Sequence, residues 1–457
     1  MILRDIVERL ESKAPFSVMM RATLENVLSA ERMDAIFVAH ARRQRQGKLL
    51  FSALADIMGG VACRIHASPH AAYQARVDEI GVTAKVIYDK LQGVEPEVSR
   101  AMVRETACSM TTIIQKMKVG ASAVLPRYRV KIVDGNHLRR TDRRIAELRA
   151  INAAPLPGQA LVVLDPQLRL AIDVFPCEDG HAQERSLLPK LLLTVDPRDV
   201  WIADRNFCTI AFLLGIAARG ACFVIRQHGQ MPYKLSGKRK RIGKTETGVV
   251  YEQCLSIYDA AGKATTIRRI TIELYEPTRD GDREMHILTN LPKRVTAVRV
   301  AELYRGRWTI ETAFQELAQN LHGEVVTLGY PKAALFAFCA ALLAYNVWSV
   351  MRAALGAAHG VEKIKEEFSV YYLADEVAHT YRGMDAVIPD DYWTKRYAHL
   401  SPTQMARELI RIAHTVYLPR YRKHKRGPKK PPIKMKKTKR NHVSTARILA
   451  ESEAMSA

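Results

Sequence analysis

The sequence predicts an α/β protein: a mixed-sheet core with an inserted all-β subdomain, a helical N-terminal domain and a helical, basic C-terminal region. Three observations carry this. Between residues 126 and 228, short alternating or wholly apolar runs interleave with amphipathic segments, as a mixed α/β layer requires. Residues 229–292 hold only β-type runs separated by Gly, Asp and Lys-rich turns. Both flanks show apolar residues every three to four positions and few turn signals.

In chain order, residues 1–122 form the predicted helical, DNA-binding domain, with MRATLENVLSAERMDAIFVAHARR as its clearest amphipathic stretch and a basic cluster at Arg42, Arg43, Arg45 and Lys48 behind it. The core begins at 123 and runs to 228. RYRVKIVDG is a first strand leading to Asp134, and QALVVLD and LRLAIDVFP make a hairpin about Asp165-Pro166-Gln167. HAQERSLLPKLLLTV reads as a helix, VWIAD as a short buried strand ending at Asp204, TIAFLLGIAARG as a helix and ACFVIRQ as a strand. Residues 229–294 are the β insertion. The core resumes over 295–356, and 357–457 is the helical C-terminal region with its basic tail at 420–440.

Charge narrows the function. Seventy Lys and Arg stand against 47 Asp and Glu, for +23. A polyanion is the expected partner, nucleic acid first and an anionic membrane surface second. Residues 420–440 hold twelve basic residues, three prolines and no acid, and predict an extended polycation that includes Arg426, Lys429 and Lys430. Without it the rest still carries about +11, so the basicity is not confined to the tail. Seven dispersed cysteines without a C-x-x-C pair predict reduced thiols and exclude a disulfide framework or zinc site. Residues 333–350 lack charge over 18 positions but contain Asn346 and Ser349; a helix buried against a sheet is the expectation, and no membrane span.

The chemistry centres on residues 301–321, AELYRGRWTIETAFQELAQNL, predicted as one helix. Tyr304, Arg307 and Glu311 then share a face, because their offsets are three and four. A carboxylate beside a guanidinium and a phenol suits a place where a cation and a phosphate meet. Asp134 and Asp204, each at a predicted strand end, supply two more acids. Separately each has a plainer reading: a turn residue in Asp134-Gly135, a helix cap at Asp204, a surface ion pair for Arg307 and Glu311. Together, three acids in a strongly basic chain fit binding of two Mg²⁺ ions, with Mn²⁺ as a substitute, for in-line phosphoryl displacement. The string GKRKRIGKT departs from the phosphate-binding loop in its glycine spacing, and Lys238, Arg239, Lys240 and Arg241 read as a basic hairpin tip aimed at a phosphate backbone.

The order Asp134, Asp204, Glu311 resembles the DDE transposases of bacterial insertion sequences, and more narrowly the "insertion sequence four" family with its Tyr-x2-Arg-x3-Glu-x6-Lys signature. Tyr304, Arg307 and Glu311 match that spacing, and IVDGNHL and IADRNF are similar to the family's two Asp motifs. The resemblance implies an RNase H-like catalytic core, Mg²⁺-dependent cleavage and strand transfer at transposon ends, and a homodimer on double-stranded DNA in the bacterial cytoplasm at the nucleoid. Tyr304 and Arg307 would then contact DNA. It also implies a flipped base stacked on an aromatic, with Tyr233, Tyr251, Tyr258 or Tyr275 as candidates in the insertion. One departure stands out: the signature Lys falls at 318, where this chain has Ala318, with Lys293 and Arg294 as possible replacements. A decayed, non-catalytic DNA-binding relative and a nuclease without strand transfer are the competing expectations.

Overall fold

The computed structural model describes residues 2–119, 123–139, 141–278, 281–424, 427 and 442–456. Its centre is a nine-stranded sheet built from β1 (Arg129–His137), β3 (Gln159–Asp165), β4 (Leu170–Cys177), β5 (Asp199–Ala203), β6 (Cys222–Arg226), β7 (Lys234–Lys244), β8 (Gly248–Tyr258), β9 (Ala264–Leu274) and β10 (Glu284–Thr289). The order across the sheet is β4-β3-β1-β5-β6-β10-β9-β8-β7. β1 pairs parallel to β5, and β5 parallel to β6; every other pair in this sheet is antiparallel. The Asp165 carboxylate closes the β3–β4 hairpin by accepting the N–H groups of Gln167 and Leu168. The helix Ile210–Ala218 supplies the crossover that the parallel β5–β6 pair needs.

Strand alternation gives the sheet two buried faces. Val130, Ile132, Val162, Leu164 and Ile202 join one core, and Val133, Leu161, Val163, Trp201 and Phe223 join another. The first core is the larger. It unites the N-terminal helices, the helix Pro96–Lys116, the long helix Pro331–His359 and the C-terminal helices, so the residues expected as a separate N-terminal domain share their apolar interior with the sheet. The long helix is the one among the described residues that is apolar and long enough to cross a membrane, and its apolar stretch lies wholly inside the protein. Its polar residues have partners there: Asn346 bonds both the N–H and the C=O of Ala171 at 2.8 Å, satisfying backbone on edge strand β4. Asp173 on β4, without an evident partner in the sequence, is gripped by Arg100 through two 2.9 Å bonds.

The structure departs from the expectations in several places. The strands of 229–294 do not stand apart: β10 pairs with β6, so they extend the core sheet beyond an edge that would otherwise be open. Lys238–Arg241 lie in edge strand β7 rather than at a hairpin tip. Pairing shifts from Ser236↔Cys254 to Lys240↔Glu252, so Lys238 and Arg239 sit in a bulge, which Gly237 permits with φ +74°. The expected helix over 181–195 contracts to the 3-10 turn Glu184–Leu187 followed by Leu188–Leu192. Residues 301–321 are not one helix. Ala297–Arg305 ends at Gly306, and Trp308–Gln319 starts anew. The turn tightens there, with Arg307 N–H bonding Tyr304 C=O and Ile310 N–H bonding Arg307 C=O, and a side chain at 306 would meet the Leu303 carbonyl at 3.0 Å. All seven cysteines are free.

The start of the basic tail is docked: Arg420 lies in the turn Leu418–Tyr421, Arg422 bridges to Phe368, and Lys423 N–H bonds the Glu367 C=O. Arg426, Lys429 and Lys430 lie outside the described residues. The chain re-enters as β11 (His442–Ser444), which pairs parallel with β2 (Ala154–Leu156), and Arg447 then binds Asp179.

Candidate active site

The register of β1 and β5 sets the site. Ile132 pairs with Ile202 on parallel neighbours, and Asp134 and Asp204 each follow two residues later. Both acids therefore leave adjacent strands at the same level and on the same face, at the strands' carboxyl ends where open α/β sheets hold ligands. Asp134 lies within β1, not in a turn. Asp204 sits one residue past the end of β5, where one of its oxygens accepts the Asn206 N–H at 2.8 Å and caps the turn Arg205–Phe207. The cap and the site position coexist, because a carboxylate has two oxygens.

Glu311 arrives from the first turn of Trp308–Gln319. Arg307, at the cap of the same helix, joins it to the strands: Nη1 donates to Asp134 Oδ2 at 2.9 Å and Nη2 to Glu311 Oε1 at 2.5 Å. Arg307 Nε is buried and has no hydrogen-bond partner. Tyr304 is 7% exposed, and burial pushes its phenol up, with the charges of Arg307, Arg226 and Asp204 acting on it. The structure thus brings Asp134, Asp204, Tyr304, Arg307 and Glu311 into one neighbourhood, although the helix break places Tyr304 on a different segment from Glu311.

Burial raises the Asp134 carboxyl to about 7. The negative charges of Asp204 and Glu184 push the same way, while Arg307 and the Gly135 N–H oppose them. Glu184 was not singled out in the sequence, since its segment reads there as an ordinary amphipathic helix. Neither was Trp308, whose ring lies 5.5 Å from the Arg307 guanidinium. It is 61% exposed, whereas Trp201, Trp348 and Trp393 are at most 1% exposed. Its neighbours in sequence offered a signal: it alone of the four tryptophans lies between Arg307 and Glu311.

Other expected residues are placed less simply. Lys238, Lys240 and Arg241 are exposed on β7. Arg239 folds back over the sheet, stacked 4.0 Å from the Tyr251 ring and bonded to Glu284 at 2.8 Å. Ala318 is exposed. Arg294 bonds the Tyr128 hydroxyl at 3.1 Å, beside the start of β1.

The carboxylates of Asp134, Asp204 and Glu311 are hard oxygen ligands, the kind that a divalent cation takes. In the observed arrangement the guanidinium of Arg307 is the cation between Asp134 and Glu311. Among the described residues no three His, Cys, Asp or Glu side chains yet stand close enough to share one ion.

Two comparisons bear on this site. Residues 126–347, which include Asp134, Asp204 and Glu311, match the family model described as "Transposase DDE domain". Over 133 residues the chain is 29% identical to a Sinorhizobium fredii protein named "Putative transposase y4zB". That match covers 28% of this chain and 36% of the other, so the chain spans little more than a third of the relative's length. Both support a transposase.

Proposed function

We propose that the protein is a DNA transposase that cuts and rejoins strands at the ends of an insertion sequence, with Asp134, Asp204 and Glu311 as its acidic triad. The observation that carries this reading is the joint placement of two aspartates at the same level of adjacent parallel strands and a glutamate tied to one of them by Arg307. The fold fits an RNase H-like core, since its first five sheet strands run β4-β3-β1-β5-β6 with the acids at the carboxyl ends of the middle pair.

In the reaction, a water oxygen bonds to phosphorus as the bond to the 3′ oxygen breaks. The freed 3′-OH then attacks a target phosphate and displaces its 3′ oxygen in turn. Mg²⁺ ions, or Mn²⁺ in their place, held by the three carboxylates would polarise the attacking oxygen and neutralise the departing one. The chain's own residues do the positioning. Arg307 is released from its carboxylate bridge to a phosphate oxygen, with its unpartnered Nε as a further donor, and Tyr304 packs against it. Trp308 offers an exposed face for a DNA base beside Arg307, and Tyr275 in the insertion is similarly exposed. Lys238, Lys240 and Arg241 track the backbone, as do the basic residues 420–440, and a homodimer on DNA would pair two transposon ends.

Supercoiled DNA carrying candidate ends, incubated with Mg²⁺, tests the reading. Nicking followed by joined products is expected, and Asp204→Asn should bind the same DNA without cutting it. Binding without cutting by the natural protein would instead favour a decayed copy, a reading that Ala318 supports. Cutting without joining would favour a nuclease.

A further inference from the structure

The basic cluster near the N-terminus is a held loop. Residues 41–50, ARRQRQGKLL, join the helix Ala30–His40 to the helix Phe51–Ala62 and carry four cations and no acid. Their backbone is gripped from two neighbouring segments. Glu95 Oε1 accepts three successive N–H groups, from Arg42 at 2.8 Å, Arg43 at 2.7 Å and Gln44 at 3.2 Å. Burial works against that carboxylate, yet the three N–H groups and the Lys332 charge outweigh it and hold the carboxyl below its usual range. Lys90, on the helix Ala84–Gly93, is 7% exposed. Its ammonium donates to the carbonyls of Gln46 and Leu49 and lies 4.9 Å from the Phe37 ring. The Gln44 amide donates to the Lys90 C=O at 2.8 Å, in space that a side chain at Gly93 would fill.

The cationic side chains are not gripped. Arg42, Arg43, Arg45 and Lys48 are exposed, and among the described residues none has a side-chain hydrogen bond or ion pair. By contrast, Arg4 pairs with Glu8, and Arg76 with Asp56 and Glu79. Fixing a backbone beneath four like charges keeps them crowded and forfeits loop entropy, and burying an ammonium to do so adds a desolvation penalty. Solubility needs none of this, since a mobile loop keeps its charges in water equally well. A fixed loop does lower the cost of ordering when a polyanion binds.

The loop also stands at the catalytic end of the sheet. Cys177 of β4 and His137 of β1 both pair with Gln159 of β3, so β4 ends level with the end of β1 that carries Asp134. The charge of Lys332, at the start of the helix Pro331–His359, is felt both by Glu178, which follows β4, and by Glu95, which holds the loop. β4 lies two strands from β1, or about 10 Å. One turn of duplex, about 34 Å, is long enough to lie on both the site and the loop.

We propose that residues 41–50 form a preorganised contact for the backbone of double-stranded DNA outside the cleavage site, with Arg42, Arg43, Arg45 and Lys48 as its cations and Lys90 and Glu95 as positioning residues. The choice of DNA over an anionic membrane rests on the transposase reading above. Backbone contacts carry no sequence information, so the loop strengthens binding to any duplex alike.

Binding of the full chain to two duplexes of unrelated sequence, each several helical turns long, tests it across a salt series without divalent ions. The proteins compared are the natural chain, a fourfold variant (Arg42→Ala, Arg43→Ala, Arg45→Ala and Lys48→Ala together), Lys90→Met, and the two combined. Expected for the fourfold variant are natural melting, weaker binding to both duplexes alike, and a slope of log affinity against log salt shallower by about 2–4. Lys90→Met keeps the four cations and should bind several-fold more weakly below its melting point. Added to the fourfold variant it should cost no further affinity, because the cations it positions are gone. Natural affinity and slope in the fourfold variant would overturn the proposal, and a loss on one duplex alone would make the loop a sequence reader instead. Binding to phosphatidylserine vesicles as tight as to DNA, and lost in the same variant, would make it a membrane contact. An equal loss from Lys90→Met in both backgrounds would remove the positioning role. A shallower slope in the variant, with no cleavage of candidate ends by the natural protein in Mg²⁺, would leave the loop standing and remove the transposase reading.

Discussion

Arg307 and Asp134 are joined by a 2.9 Å bond that links the start of a helix to a central strand. The same guanidinium holds Glu311, so one cation keeps two acids of the site together. Arg307→Ala should leave Asp134 part-buried and unpaired, which costs about 3 kcal/mol when one partner of a buried pair is lost. Melting in EDTA should fall accordingly. Added Mg²⁺ should restore more stability to this variant than to the natural protein, because cation and guanidinium compete for the same carboxylates. Equal Mg²⁺ effects on the two melting curves would contradict the competition.

The carboxyl of Asp134 sets a pH dependence of stability. Its value near 7 lies above the usual 3.8, so between those limits the folded chain binds a proton that the unfolded chain has lost. Stability from this group is therefore full below about pH 4, declines as pH rises to 7 and stays lowered above it. Asp134→Asn should melt higher than the natural protein at pH 8 without divalent ions, by about 1 kcal/mol once the lost bond to Arg307 is counted. At pH 4 the gain should vanish. A gain equal at both pH values would show that the residue does not titrate as described.

Trp308 separates binding from folding. Its exposure means that Trp308→Ala should change stability by no more than about 0.5 kcal/mol. DNA affinity should fall by about 1–3 kcal/mol if a base stacks on the ring. The other tryptophans are buried, so a DNA-induced change in fluorescence should disappear with this one substitution. Fluorescence that responds to DNA equally in the variant would exclude the contact.

On β7, Lys238, Lys240 and Arg241 should each contribute about 0.9 to the slope of log affinity against log salt. Arg239→Ala should change the slope less, since that guanidinium is already spent on Glu284 and Tyr251. A larger loss at 239 than at 241 would reverse this assignment.

The sequence was most legible where period and order speak. The hairpin about Asp165, the strand ending before Asp204 and the apolar helix across 333–350 follow from local pattern, because burial on one or two faces leaves its period in the chain. The parallel register of Ile132 and Ile202 does not, since it depends on a crossover that pattern cannot measure. Nor does the break at Gly306: the apolar spacing of 301–321 continues through it, and only the tight approach of the Leu303 carbonyl reveals the turn. Glu184 stayed hidden because its contacts are with Gly135 and Asn206, far away in sequence. Asp173 was visible as an oddity and is explained by Arg100 from a helix seventy-three residues earlier.

The last strand of the sheet has a further consequence. β7 leaves one side of its backbone unpaired over an eleven-residue strand that bears six cations: Lys234, Lys238, Arg239, Lys240, Arg241 and Lys244. Two copies meeting edge to edge would bring like charges together, so the border that most invites self-adhesion is the one least able to stick to its twin. Crowded molecules would stay dispersed until a polyanion screened that margin.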